Sequence, residues 1–247
     1  ADFLFSLGSA GSAVPRNDVV PRPACTDTSS DPVCLGLRYA SETYERLPQN
    51  AVAKLHCSSC HLSEGRDRKA AWWAGSIPRV AIPNDVGIAA RINRCFTNSL
   101  NGQALCATTA DGEHCTTPSP VMDAFVAYIQ WVTDRAKEAG IADFDDGFPA
   151  LSTLTGDPRR GQVVFAQKCA FCHGVDGVGR YTNGYFRPAL WGEASFNHSA
   201  GLFGSPTYLA RFIRANMPID SGGVLTDQEA WDLQSFIHAQ PRPSRTP

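Results

Sequence analysis

One five-residue frame occurs twice in the chain: Cys57-Ser58-Ser59-Cys60-His61 and Cys169-Ala170-Phe171-Cys172-His173. C-x-x-C-H is the attachment frame for haem c: two thiols add across the vinyl groups of the porphyrin, and the adjacent histidine is placed to bind the iron. A chain that carries it must fold around a large apolar disc. Two other uses of C-x-x-C fit less well. A four-cysteine zinc site sets its pairs about 15–20 residues apart, whereas these pairs lie 112 residues apart. A redox dithiol has no need of the trailing histidine, and here it is repeated. The expectation is two covalent haems, on Cys57/Cys60 and Cys169/Cys172, with His61 and His173 as proximal ligands.

The offset points to a tandem duplication, and 247 residues allow two units of about 100–120 residues each. The second unit opens Asp157-Pro158-Arg159-Arg160-Gly161, an N-cap followed by proline at the first helical position. An apolar face of Val164, Phe165 and the Lys168 stem leads that helix into Cys169. Thr226-Asp227-Gln228-Glu229 is a capping box, followed by Ala230, Leu233 and Ile237 at helical spacing. The first unit mirrors this order. A helical stretch around Leu37–Leu47 precedes Cys57, and Ser119-Pro120 caps a helix carrying Val121, Phe125, Tyr128, Ile129 and Val132. Strand signals are weak, and Gly and Pro number 38 of 247 residues, so the middle of each unit should be irregular chain wrapped on its haem. The expected fold is mainly α, two tandem class I cytochrome c-like domains at 35–137 and 157–247. Residues 1–34 form an extended N-terminal arm and residues 138–156 a linker.

Five cysteines remain: Cys25, Cys34, Cys95, Cys106 and Cys115. Haem is attached outside the cytoplasm, where disulfides persist. Cys25/Cys34 and Cys106/Cys115 each enclose a short, polar, turn-rich segment, so local pairing is the simplest of the three possible connectivities. A cross-pairing between the two loops is the alternative. The chain opens on Ala1, as an exported form shorn of its signal peptide would, and this reading places it in the periplasm. No apolar run reaches the ~20 residues of a membrane helix. A net charge of −2 offers no basic excess for nucleic acid.

The sixth iron ligand separates electron transfer from catalysis. In the second unit the candidate is Met217, followed by Pro218 and lying before the closing helix, with His198 as runner-up. The first unit has no Met-Pro, and Met122 falls inside the closing helix, where a core role is expected. Cys95 follows His61 by 34 residues, while Met217 follows His173 by 44, so Cys95 falls in the corresponding loop region. An unpaired cysteine and an unfilled coordination site resolve each other, which makes Cys95 the ligand of the first iron. The other readings of Cys95 are an inert buried thiol and an intermolecular disulfide. Arg91 and Arg94 flank it, and nearby cations depress a thiol pKa.

On these residues the chain resembles the diheme thiosulfate dehydrogenases, c-type cytochromes of the periplasm. The match runs over about residues 35–240. It rests on Cys57-Ser58-Ser59-Cys60-His61-Leu62, Arg91-Ile92-Asn93-x-Cys95, Ser99-x-Asn101-Gly102 and Tyr128-Ile129-x-Trp131 in the first unit. In the second it rests on Leu190-Trp191-Gly192, Ser195-Phe196-Asn197, Ala200-Gly201, Phe212-Ile213 and Asn216-Met217-Pro218. The resemblance implies oxidation of thiosulfate to tetrathionate, or the reverse, at the cysteine-ligated haem, with the second haem passing electrons to an acceptor cytochrome. It makes Cys95 ligand and reactive sulfur, Arg91 a sulfonate clamp and Ser99 a hydrogen-bond donor. The chain departs from the family pattern at two places. Ala81 stands where another arginine is usual, with Arg79 nearby as its replacement, and Asn216 stands where some members carry a lysine able to compete for the second iron. Two further functions compete with this one. The chain could serve as the electron-transfer subunit of another periplasmic dehydrogenase, or as a Sox-type diheme cytochrome.

Overall fold

The helix starts marked by the sequence are built as capped turns. In the computed structural model, which describes residues 20–74, 87–140, 150–182, 185–197 and 204–242, α1 spans Pro32–Ser41 and opens on Asp31, whose carboxylate accepts from the Val33 and Cys34 N–H groups. The single turn α2 (Thr43–Arg46) follows. Helix α3 covers Ile88–Arg94 and runs into a π-turn at Cys95–Ser99. The longest helix, α4 (Pro120–Glu138), starts on Ser119, whose hydroxyl accepts from the Met122 N–H. Helix α5 (Pro158–Lys168) starts on Asp157 and passes into the short α6 (Ala170–His173). A hairpin pairs β1 (Arg180–Thr182) with β2 (Tyr185–Arg187) antiparallel. Then come α7 (Pro206–Asn216) and α8 (Asp227–His238), whose capping box joins Thr226 and Glu229 reciprocally. Proline sits in the first turn of α1, α4, α5 and α7, where its missing N–H sacrifices no helical hydrogen bond.

Both halves close by the same crossing, one helix from before the motif against one from after it. α1 packs on α4, and α5 packs on α8. Each contact is made at a glycine. A Cβ on Gly36 would lie 2.2 Å from the Ala124 carbonyl oxygen, and one on Gly161 would lie 2.0 Å from that of Asp232. Only the missing side chain lets the backbones approach so closely. Aromatic rings fill in around each crossing: Tyr39 on Phe125 at 5.9 Å, and Phe165 on Phe236 at 5.5 Å. Leu37, Phe125, Tyr128 and Val132 at the first crossing and Phe165, Leu233 and Ile237 at the second are buried in one connected hydrophobic cluster. Burying each such side chain contributes roughly 1.5–3 kcal/mol. Met122 is buried in α4 as expected.

The helix expected around Leu37–Leu47 is α1 plus α2. It begins earlier, at Pro32, because Asp31 supplies the cap. Two disulfides form, Cys25–Cys34 and Cys106–Cys115, the local pairing. In the chain-entropy account each loop of this size stabilises by roughly 2.5 kcal/mol. Residues 20–31 have no helix or strand, and Val20 is buried with its carbonyl accepting from Arg66 Nη1 at 2.7 Å.

The two halves touch through buried polar groups and one aromatic cluster. Asn216 Nδ2 donates to the Lys69 carbonyl at 2.6 Å, and Asn101 Nδ2 to that of Ser195 at 3.1 Å. His56 stacks on Tyr44 at 4.9 Å and meets Phe186 of the hairpin edge-on at 4.7 Å. Among the described residues the structure is mainly helical and rich in irregular chain, with no helix long and apolar enough to cross a membrane.

Candidate haem sites and their distal ligands

Each C-x-x-C-H folds into a tight turn that brings its histidine back over the cysteines. The His61 N–H donates to the Cys57 carbonyl at 2.9 Å, and the His173 N–H to the Cys169 carbonyl at 3.0 Å. The Cys57 N–H is held by Thr43 Oγ1 at 2.9 Å, which ties the first motif to α2. In each half a backbone carbonyl engages the histidine Nδ1. Ala71 serves His61, and Pro188 serves His173 at 2.9 Å. Nε2 is thereby left as the metal-facing atom, the arrangement typical of a ligating histidine. Ala71 adopts a left-handed φ of 50°, a conformation that costs a non-glycine residue roughly 1–2 kcal/mol and here accompanies the carbonyl contact with His61.

Burial sets the protonation of both motifs. It lowers the pKa of His61 and His173, with the carbonyl contacts opposing the shift, so each imidazole is held neutral, the form that binds metal. The thiols move the other way: burial pushes Cys57 up to about 12 and Cys169 up to about 11. A catalytic dithiol needs a depressed thiol pKa. These sulfurs are instead set into apolar surroundings, which suits thioether links to vinyl carbons.

Cys95 does not lie in a loop like Met217. It caps α3 and begins the π-turn, its N–H shared between the Arg91 and Ile92 carbonyls. The Leu100 N–H closes the wide turn on the Cys95 carbonyl at 2.9 Å. Phe96 anchors this segment, 1% exposed and edge-on to Phe125 at 5.8 Å. Such π-turns recur at functional sites because they re-aim a side chain without ending the helix. Cys95 is near enough to Cys57 and Cys60 that its charge raises both of their pKa values. Cys95 is exposed, and desolvation raises its thiol pKa against Arg91 and Arg94 beside it, which lower it. Ser99, the last residue of the π-turn, is half-buried.

Met217 is the C-cap of α7, in extended conformation, its N–H on the Ile213 carbonyl at 3.0 Å. It lines a cavity of about 400 Å³ together with Cys169, Cys172 and His173, under apolar walls that include Leu190 and Phe196. That volume lies in the range of ligand clefts, about 300–1,000 Å³. Residues of the first half, His56 and Cys60 among them, reach the same cavity.

The donor sets and their surroundings fit haem. In the second half, two thiols, a neutral histidine and a thioether share one apolar cavity. In the first, Cys95 converges on Cys57 and Cys60, and Trp72 presents a buried indole N–H without a protein acceptor, a group that a haem carboxylate would satisfy. Arg79, Ala81 and His198 lie outside the described residues. The sequence reading gave no role to Ala71, Pro188 or His56. Two are bare carbonyl contacts that leave no mark in sequence, whereas His56 could have been noticed as the residue before the first motif.

Fold and motif pair together define a c-type cytochrome. Residues 156–237 match the family model for cytochrome C oxidase, cbb3-type, subunit III. The thiosulfate dehydrogenase of Psychrobacter arcticus is 38% identical over 84% of this chain and 62% of its own length. That of Allochromatium vinosum is 33% identical over 84% of this chain and 77% of its own. A solved thiosulfate dehydrogenase (TsdBA) from Marichromatium purpuratum superimposes with a TM-score of 0.72 at 31% identity, covering 92% of this chain and 50% of that one. The chain belongs to the thiosulfate dehydrogenase family, and covalently bound haem c is the cofactor. It spans about three fifths of the length of the Psychrobacter relative (62%) and half of the Marichromatium chain (50%).

Proposed function

We propose that this chain is a periplasmic diheme enzyme that oxidises thiosulfate to tetrathionate and delivers the electrons to an acceptor cytochrome. The observation that carries the reading is the convergence of Cys95, with Arg91 and Arg94 beside it, on the first motif. Two domains, 35–137 and 157–247, each hold one haem, with residues 138–156 joining them. Cys57, Cys60, His61 and Cys95 would hold the first, and Cys169, Cys172, His173 and Met217 the second.

Two thiosulfate dianions join through their outer sulfurs, forming one S–S bond. No proton moves and two electrons leave. Each haem, when bound, supplies a one-electron sink, and a pair of them matches that count. The chain's own contribution is electrostatic and geometric. Arg91 and Arg94 set fixed positive charge around Cys95, and guanidinium forks suit sulfonate oxygens. Ser99 donates to a bound oxyanion, and Arg79 is assigned the place of the arginine that Ala81 lacks. A haem held by the Cys95 thiolate would favour the ferric state and one held by the Met217 thioether the ferrous, so the pair would be poised to pass electrons from the first half to the second. Membership of a family named for thiosulfate supports the substrate assignment.

Steady-state assay of the haem-loaded protein with thiosulfate and ferricyanide tests this, alongside intact mass. Tetrathionate formation and a mass exceeding the chain by two haem groups are expected. A protein inert toward thiosulfate that is nonetheless reduced by a partner dehydrogenase would replace this reading with simple electron transfer.

A further inference from the structure

Helix α3 carries both Arg91 and the approach to Cys95, yet it has only seven residues. A helix that short does not persist unaided, and its first N–H groups have no intrahelical partners. The loop closed by Cys106–Cys115 supplies those partners. The Gly87 N–H donates to the Asp111 carbonyl and the Ala90 N–H to the Gly112 carbonyl, each at 2.9 Å. The Ile88 N–H reaches Glu113 Oε2 at 3.4 Å. Contact here is so close that a Cβ on Gly87 would lie 2.4 Å from the Glu113 nitrogen.

The base of the same loop grips the other end of the helix. Asn93, two residues before Cys95 and 8% exposed, donates from Nδ2 to the Cys106 carbonyl at 2.8 Å. Its Oδ1 accepts from the Leu105 N–H, also at 2.8 Å. Within the loop the Thr109 N–H bonds the His114 carbonyl at 2.9 Å and the Thr116 N–H bonds the Ala107 carbonyl at 2.8 Å. These few bonds and the disulfide give the loop its shape.

We infer that the disulfide-closed loop 106–115 is the positioning element for the Cys95 ligand. It caps α3 at its start, pins it through Asn93 near its end, and so fixes the height and rotation at which Cys95 and Arg91 meet the first haem. The inference rests on the assignment of Cys95 as ligand made above. Cys25–Cys34 closes a loop of equal span on the same half but bonds to α1, which makes it an internal control.

The test is electron paramagnetic resonance of the oxidised, haem-loaded protein, where a thiolate-ligated ferric haem is distinct from a His/Met one. Cys106→Ser/Cys115→Ser should lose most of the thiolate signal at unchanged haem content, with the second haem's signal intact. Thiosulfate turnover should fall by about 10-fold or more, as for other outer-shell losses around a metal. Cys25→Ser/Cys34→Ser should keep the wild-type spectrum. Gly87→Ala leaves every cysteine in place and pushes the loop off the helix. It should show the same loss, and it carries the test if the double variant does not accumulate. A full thiolate signal in either loop variant would overturn the inference, as would equal loss in the Cys25/Cys34 control. A wild type without any thiolate signal would overturn the ligand assignment beneath it. Loss of the signal in the loop variants of a protein inert toward thiosulfate would uphold the positioning role while the substrate reading fell.

Discussion

The two residues proposed as distal ligands are delivered by different kinds of backbone. Met217 sits just past the end of α7, on extended chain, while Cys95 sits inside a continuous helical segment that widens from α to π. The proximal sides have not diverged in this way: in both halves a backbone carbonyl orients the histidine through Nδ1. Each distal segment is also steadied by a buried asparagine, Asn93 two residues before Cys95 and Asn216 one residue before Met217. Asn93 bonds within its own half, whereas Asn216 reaches across to Lys69 of the other. The two halves thus share the histidine contact and differ where Cys95 and Met217 stand. Cys95 has Arg91 a turn away on its own helix face, which suits the substrate role proposed for it, whereas the helix neighbour of Met217 a turn away is the apolar Ile213.

The largest expected effect comes from removing the helix-borne ligand. Cys95→Ala should keep both haems attached and leave the second haem's spectrum unchanged, while tetrathionate formation falls by more than about 100-fold. Near wild-type turnover would make the two distal sides functionally alike and end the comparison. Met217→Gly should do the converse. The near-infrared methionine-to-iron band disappears and the second haem's potential drops, while the first haem's thiolate signal persists. A surviving band would show that Met217 is not the ligand.

A smaller effect tests the bridge between the halves. Asn216→Ala removes the part-buried 2.6 Å bond to the Lys69 carbonyl, which should cost about 0.5–1.5 kcal/mol in denaturant unfolding. It should also shift the second haem's spectrum more than the first. A stability change within error would mean that the halves are held by the Asn101–Ser195 bond and the aromatic contacts around His56 and Phe186.

What could be read in the sequence was whatever depends on local chemistry. Both motifs, the Ser119, Asp157 and Thr226 caps and the local cysteine pairs involve residues within about a helical turn or a short loop of one another, where residue type and spacing determine the bond. The backbone setting of Cys95 was not legible. Its place after His61 pointed to a loop, yet α3 passes at Cys95 into a π-turn, and the bonds that hold α3 to loop 106–115 are ones that only the folded chain brings near. The glycines at the helix crossings were silent for the same reason. Gly36 and Gly161 carry no pattern of their own, and their meaning comes from Ala124 and Asp232, remote in sequence. Arginine charge beside Cys95 was foreseen, but the π-turn that presents the exposed side chain was not, because it depends on the folded chain around it.

The last contrast lies in how the two helix crossings respond to acid. At α1–α4 the contact is glycine against backbone and ring against ring. At α5–α8 it includes a buried carboxylate. Asp232 accepts from Arg160 Nε at 2.7 Å and Nη2 at 2.9 Å, from the Asp157 N–H at 2.7 Å, and from Gln228 Nε2 at 2.9 Å. Desolvation pushes its pKa up, but Arg160, the Asp157 N–H and Gln228 together outweigh it and hold it below the usual carboxylate value. A carboxyl whose folded pKa is depressed stabilises the fold fully above its unfolded pKa, about 3.9, and that stability is lost as pH falls through the folded value. The second half should therefore loosen before the first on acidification. Asp232→Asn should lower the stability of the α5–α8 half by about 1–2 kcal/mol at neutral pH and flatten its dependence on acid. Urea unfolding followed through the His/Met band at pH 7 and pH 3.5 reads both quantities. Equal acid sensitivity in wild type and variant would remove Asp232 from the account and leave the two crossings equivalent.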